Sequence, residues 1–229
     1  MFSVSTLSAV AVTIVAAGIV PTVISAGDLD SSALPYPVAV FTTVVADNLA
    51  FLVLPVVACL PYVLGFMGLV QHRFLTYARV RASSRLMVTG HVGACGLVTG
   101  VTLAMVGALP GIPMVFGGYT LAPEEYLLLT PESIRAAELS DSTFTQFVSG
   151  GEWAVPVAYG LWVGINAALY AVISLCLTIL QRSRVVALVA PWAVQMVVGY
   201  GMALVGLEGF SPSLIMPFNV TQLPLSNLA

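Results

Sequence analysis

Long apolar runs separated by polar stretches make up most of this chain. The runs cover residues 4–26, 47–70, 86–109, 153–180 and 185–206. An α-helix rises about 1.5 Å per residue, so each run is long enough, as a helix, to cross a hydrocarbon core of about 30 Å. The pattern predicts an all-α polytopic membrane protein in which residues 1–229 form a single transmembrane domain with five spanning helices.

Composition narrows the class of function. The chain is 59% hydrophobic and 7% charged, with a mean hydropathy of +1.02, whereas about a quarter of the residues of a soluble domain are charged. It contains no lysine, which excludes a Walker A phosphate loop and a lysine Schiff base. The three cysteines form no CxxC pair, and no nucleophile motif occurs. We therefore expect no enzyme, no metal or cofactor bound by this chain, and no nucleic-acid partner.

Basic residues mark one polar loop. Residues 71–85 hold four of the seven basic residues: Arg73, Arg79, Arg81 and Arg85. Cytoplasmic loops of membrane proteins are enriched in Lys and Arg, so this loop is predicted to be cytoplasmic. Alternation then puts the N-terminus and residues 181–184 inside, and the acidic loop of residues 110–152 and the end of this chain outside. The acidic loop either forms a solvated surface, which we favour, or attracts a cationic substrate.

Two features of the N-terminal part have alternative interpretations. The first run could be a cleaved signal peptide, but it lacks a basic n-region and exceeds the usual length of roughly 7–15 apolar residues, which favours a spanning helix. Asp47 could be a buried acid, which is costly in a membrane, or the N-cap of the second helix. The cap is favoured because Asp side chains satisfy free N–H groups at helix starts. Pro55 and Pro61 are expected to bend this helix.

Small residues recur at four-residue spacing in two of the runs. The third run has Gly96, Gly100 and Ala104, and the fourth has Gly160 and Gly164. Such stripes let helix backbones approach closely in a membrane, where lipid provides no hydrophobic drive for helix association. We predict helix packing at both stripes, with a neighbour either in the same subunit or in another.

Polar side chains inside the runs are candidate functional residues. Asn166 in the fourth run and Gln195 in the fifth are expected at mid-membrane depth, where polar groups are expensive and usually paired. Bonding to each other or to nearby carbonyls across the two helices is the favoured interpretation, and contact with a substrate on a translocation path is the alternative. We expect His91 to be a satisfied interfacial group rather than a metal ligand, because no second His or acid lies three or four residues further on.

A family resemblance runs from about residue 47 onward. The segments that carry it are, in order, LP at 54–55, LPY at 60–62, RASSR at 81–85, a Gly-rich helix, VAYGLW at 157–162, RVVALVAP at 184–191 and SP at 211–212. This order resembles the permease subunits of bacterial ATP-binding-cassette (ABC) exporters of the six-helix type.

The resemblance implies a multi-pass protein of the bacterial plasma membrane, with a sixth helix beyond the five seen in this chain. It implies a cytoplasmic ABC ATPase as partner, which would bind ATP and Mg, and a second permease subunit, identical or different. The loop of residues 71–85 would form a coupling helix that docks on the ATPase. Its candidate contact residues are Phe74, Tyr77, Arg79, Arg81, Ser84 and Arg85. The large outer loop departs from better-known members of the fold, which elaborate the loop between helices 5 and 6.

The favoured function is therefore that of a membrane-spanning subunit of an ABC exporter. In one alternative, the arginines of the basic loop only follow the positive-inside rule and pair with anionic membrane lipid. In another, the whole chain is a non-transporting accessory or scaffold subunit of an envelope complex.

Overall fold

The computed structural model describes residues 4–20, 23, 41, 53–71, 83–112, 153–181 and 183–206. In chain order its helices are α1 (Val4–Thr13), continued by a π-helical segment (Ile14–Ile19), α2 (Leu54–Val57), α3 (Val63–Gln71), α4 (Ser84–Ala108), α5 (Ala154–Gln181) and α6 (Arg184–Leu204). Within these ranges no strand occurs. The predicted all-α class is therefore confirmed.

Three helices are long and apolar enough to cross a membrane. They are Arg85–Ala108 in α4, Ala154–Gln181 in α5 and Val185–Leu204 in α6. Their outward faces expose aliphatic side chains at four-residue spacing, as at Leu97, Val101 and Met105 of α4. Extended apolar surface of this kind is typical of a face that meets lipid rather than water. The described residues do not contain the five predicted spans. The first and second apolar runs each extend outside the described ranges, and the second run is also broken.

The start of α4 is set by a serine N-cap. The Ser83 hydroxyl accepts a hydrogen bond from the N–H of Leu86 at 3.4 Å, and serine is a favoured cap because it satisfies a free N–H group of the first turn. The helix therefore begins two residues before the predicted start. In consequence, Ser84 and Arg85 belong to α4 and not to the predicted coupling loop of residues 71–85.

A serine N-cap begins α6, and a glycine with positive φ follows its end. The Ser183 hydroxyl accepts from the N–H of Val186 at 3.4 Å. At the other end, Gly206 has a φ of 74°, and its N–H donates to the carbonyl of Ala203 at 3.2 Å. Glycine commonly ends helices in this way, because it adopts positive φ without a steric penalty. The last helix thus starts one residue earlier and ends two residues earlier than predicted.

The second apolar run is not one continuous helix. Between α2 and α3, the N–H of Leu60 bonds to the carbonyl of Val57, three residues back, at 3.0 Å. The N–H of Leu64 bonds to the carbonyl of Cys59, five residues back, at 3.3 Å. Pro61 accounts for the irregularity, since it has no N–H and its ring clashes with the carbonyl four residues back. The run predicted as one helix bent at its prolines is therefore interrupted between Val57 and Val63.

Buried side chains form two clusters along the bundle. The first contains residues of α2, α4 and α5: Leu54, Leu103, Val106, Val155, Tyr159 and Val163. The second contains residues of α3, α4, α5 and α6, together with Cys59 before α3: Cys59, Val63, Phe66, Cys95, Leu175 and Ala187. Contacts between consecutive helices show that they run antiparallel: Tyr62 meets His91, Gly100 meets Gly164 while Gly107 meets Gly160, and Ser174 meets Ala187. The C-termini of α3 and α5 and the N-termini of α4 and α6 therefore lie at one end of the bundle, which we call the Arg85 end.

Candidate functional site

The two small-residue stripes pack against each other within this chain. A Cβ atom built on Gly164 would lie 2.5 Å from the carbonyl oxygen of Gly100, and one built on Gly160 would lie 2.5 Å from that of Ala104. Real Cβ atoms essentially never come closer than 3.0 Å to such an atom, so α4 and α5 approach as closely as their backbones allow. Gly96 is less crowded, with 3.7 Å from its built Cβ to the nearest atom. The neighbour left open by the sequence is thus α5 of the same subunit.

A side-chain hydrogen bond fixes α5 against α6. The Ser174 hydroxyl donates to the carbonyl oxygen of Ala187 at 2.5 Å. In a regular helix that carbonyl would accept from the N–H of residue 191, but Pro191 has none. A hydroxyl of α5 therefore replaces the backbone donor missing from α6, and the bond fixes the register of these two antiparallel helices.

The register places the amides of Asn166 and Gln195 at the same level along α5 and α6. Asn166 lies eight residues before Ser174, and Gln195 lies eight residues after Ala187. They do not bond each other: the Asn166 amide nitrogen donates to the carbonyl of Trp162, in its own helix, at 2.9 Å. Gln195 is only 4% exposed, and its amide oxygen has no hydrogen-bond partner among the described residues. A buried unpartnered amide oxygen is costly, which keeps Gln195 a candidate for a functional contact.

Tyr62 and His91 form a polar contact at the break between α2 and α3. The Tyr62 hydroxyl oxygen lies 2.7 Å from Nδ1 of His91, and the His91 ring packs on Phe66 with ring centroids 4.9 Å apart. Since Tyr62 directly follows Pro61, the contact lies where the helix is interrupted. His91 therefore has a hydrogen-bond partner, and no group of three metal-binding side chains occurs in the part of the chain that the structure describes.

Sequence analysis named Tyr62 and His91 separately but did not pair them. The predicted helix boundaries, residues 70 and 86, did not indicate the pairing, because they put Tyr62 eight residues before the connection and His91 five residues after it. With the observed ends, Gln71 and Ser83, the distances are nine and eight residues. Antiparallel neighbours bring residues at such similar distances from their connection to nearly the same level.

The predicted coupling residues are only partly described. Phe74, Tyr77, Arg79 and Arg81 lie outside the described residues, and Ser84 is in the first turn of α4. Arg85 follows it with an exposed side chain. A cation in the first turn meets the positive end of the helix dipole, which costs about 0.3–1 kcal/mol. Helix stability therefore does not explain Arg85, and its charge is available to lipid or to a partner protein.

Comparisons with other proteins give no relative for this chain: no family model, no curated protein and no solved structure matches it. Its function is therefore argued from its residues and helix packing.

Proposed function

We propose that this chain is the permease subunit of an ABC transporter, an exporter, driven by ATP hydrolysis on a separate cytoplasmic ATPase. One observation carries the proposal: the antiparallel helices bring four helix ends together at the Arg85 end, and six of the seven basic residues lie within residues 73–85 and 182–184, which adjoin those ends in the sequence. Basic residues concentrated on two short connections suit docking to an acidic groove, because complementary charge steers and orients protein partners.

The proposed topology extends beyond the three candidate spans. All five apolar runs would cross the plasma membrane, a sixth helix would complete the fold, and the Arg85 end would face the cytoplasm. Two contacts support the alternation that this topology requires. Gly100 meets Gly164 across α4 and α5, and Ser174 meets Ala187 across α5 and α6, so consecutive helices run antiparallel.

Transport also requires a part that moves and a part that does not. The close backbone contacts of α4 with α5 suit the fixed part. The interruption at Pro61 suits the moving part, because a helix without a continuous hydrogen-bond ladder bends easily. A second permease subunit, identical or different, would complete the path, on which Asn166 and Gln195 remain the candidate polar residues.

A non-transporting scaffold subunit is the second candidate. The tight α4–α5 pair favours it, since a scaffold needs only rigid helices and a surface for partners. The two functions differ in their requirement for an ATPase.

Affinity purification separates the two functions. The full chain, tagged and expressed in its natural cells, would be extracted in mild detergent after cross-linking, and its partners identified by mass spectrometry. We expect an ABC ATPase in near-stoichiometric amount, together with ATP hydrolysis by the purified complex. Another tagged multi-pass protein from the same membranes serves as the control. Recovery of envelope proteins without any ATPase would support the scaffold instead.

A further inference from the structure

Two buried polar atoms of α6 lack hydrogen-bond partners. They are Nε1 of Trp192 and Oε1 of Gln195, and neither is bonded to any other described residue. Residues three apart on a helix are neighbours on its surface, so the indole N–H and the amide oxygen offer one donor and one acceptor side by side. Leaving such buried groups unpaired is costly. The pair therefore suits a ligand group that accepts from Trp192 and donates to Gln195.

A cavity begins one residue beyond this pair. Its volume is about 790 Å³, within the range of small-molecule sites, which are mostly apolar and contain few polar groups. The described residues that line it all lie on α6: Met196, Val197, Gly199, Tyr200 and Gly201. Gly199 lies one turn beyond Gln195 and both are buried, so the two residues share a face of the helix. An apolar cavity thus adjoins the polar pair.

The surroundings of the cavity indicate a neutral ligand that comes from the membrane. Val197 and Tyr200 are 72% and 71% exposed, and exposed apolar surface on a spanning helix is typical of a face that meets lipid. Residues 154–181 and 185–206 include no charged side chain. An ionised ligand group would therefore find no counter-charge on α5 or α6, which is costly at membrane depth.

We propose that Trp192, Gln195 and the cavity beside them bind a neutral amphiphile, a molecule with a hydroxyl head and an apolar chain. The hydroxyl accepts a hydrogen bond from Nε1 of Trp192 and donates one to Oε1 of Gln195, while the chain lies in the cavity along Gly199 and Gly201. The proposal goes beyond the proposed function, since it concerns binding and holds for a permease and for a scaffold alike. If the two side chains only bonded to each other or to water, binding in the cavity would not depend on them.

Binding is tested on the full chain in lipid nanodiscs with a photoreactive analogue of dodecanol that carries a diazirine at the end of its chain. Irradiation links the chain end to the residues beside it, and mass spectrometry of the digested protein identifies them. We expect saturable labelling within residues 196–201. Labelling that rises in proportion to the probe without saturating would overturn the site, because a helix that only contacts bulk lipid behaves in this way.

Competition on the native chain tests the hydrogen bonds. Dodecanol donates and accepts, its methyl ether only accepts, and dodecane does neither. With concentrations expressed per lipid, dodecanol should displace the probe at about tenfold lower concentration than the ether, because only dodecanol can donate to Gln195. Dodecane should displace the probe least. Equal displacement by dodecanol and the ether would overturn the proposal, since Gln195 would then make no bond to the ligand.

Two variants assign each bond to its side chain. Gln195→Leu removes the amide at nearly constant size, so dodecanol and the ether should bind to it alike. Trp192→Phe removes the N–H and keeps an aromatic ring, so both compounds should bind about tenfold more weakly, with the difference between them retained. Thr178→Val is the matched control, because the buried Thr178 hydroxyl is already bonded to the carbonyl of Ser174 in its own helix. Native discrimination in Gln195→Leu, or native affinity in Trp192→Phe, would contradict the site.

The cavity itself is tested at Gly201. A Cβ there meets nothing within 4 Å, so Gly201→Leu can fill the cavity without separating helices, and labelling within residues 196–201 should be lost. Gly93→Leu is the matched control, since its Cβ on α4 is equally unobstructed. Equal labelling in the two variants would overturn the cavity as the binding site. These measurements need no ATPase, so they stand apart from the purification experiment.

Discussion

Ser174 on α5 supplies the hydrogen-bond donor that Pro191 removes from α6. Its hydroxyl lies 2.5 Å from the carbonyl oxygen of Ala187, the atom that the N–H of residue 191 would otherwise reach. A buried hydroxyl and a proline are each unfavourable in a spanning helix when considered alone. Placed opposite each other, each satisfies the group that the other leaves exposed, and the two helices gain a fixed register.

Ser174→Ala is therefore predicted to destabilise the chain by about 1–2 kcal/mol, because the carbonyl of Ala187 loses its donor. Pro191→Ala restores a backbone N–H at that point, so the same serine substitution should cost much less in the Pro191→Ala background. A double-mutant cycle on the free energy of unfolding in detergent measures the difference. Equal costs in both backgrounds would show that the hydroxyl does not serve this carbonyl.

Gly164→Leu is predicted to disrupt the α4–α5 interface. Its side chain would enter the space of the Gly100 carbonyl, 2.5 Å from the built Cβ, and overpacking of this kind costs about 1–3 kcal/mol or more. Gly100→Leu should act in the same direction, since its Cβ would lie 3.3 Å from the carbonyl oxygen of Gly164. The measurement is the yield of monodisperse protein and its thermal unfolding.

Gly93→Leu is the matched control for both glycine variants, because a Cβ there meets nothing within 4 Å. It should change stability by no more than about 0.5 kcal/mol. If Gly164→Leu and Gly93→Leu behave alike, the close contact between the helices does not stabilise the chain.

The three long helices were predictable because their signals are local. An apolar run of sufficient length defines each span, and caps such as Ser183 and Gly206 lie within about two residues of the predicted boundaries. The stripe of small residues predicted close packing, but it did not identify the neighbour, since any second small-residue face fits equally well. The contact of Gly100 with Gly164 depends on how the whole bundle is arranged.

The break before α3 and the hydrogen bonding of Asn166 and Gln195 depend on tertiary structure. A proline can bend a helix or end it, and at Pro61 the outcome is coupled to the contact of Tyr62 with His91 across two helices. Asn166 and Gln195 lie at equal depth, as a hydrogen-bonded pair requires, yet Asn166 bonds within its own helix. The composition of a helix does not specify which of two available carbonyls an amide selects.

The orientation of the chain is predicted to put residue 83 inside and residue 138 outside, because arginine is concentrated beside the former. Ser83→Cys and Glu138→Cys, each in a Cys176→Ser background, are treated in sealed cells with a membrane-impermeant maleimide. Position 138 should be labelled directly, and position 83 only after permeabilisation. Direct labelling of position 83 would reverse the orientation and remove the basis for a cytoplasmic partner at the Arg85 end.

The double substitution Arg81→Gln and Arg85→Gln is predicted to weaken ATPase binding while insertion is retained. Arg182 and Arg184 still mark the inner side, so the topology should survive. The loss of two charges from a docking surface should lower ATPase affinity by about tenfold and reduce ATP hydrolysis by the recovered complex. Affinity is measured by titrating purified ATPase onto the chain in nanodiscs.

Arg135→Gln is the matched control for this variant, because it removes a basic residue from the loop predicted to be outside. It should leave ATPase binding unchanged.

The competing account pairs Arg81 and Arg85 with anionic lipid heads, at about 1 kcal/mol each, and predicts that the double variant loses affinity for anionic vesicles but not for the ATPase. Because the two accounts assign the same charges to different partners, titration with each partner separately decides between them. Native ATPase affinity and hydrolysis in the double variant, with weakened vesicle binding, would assign both arginines to the membrane surface.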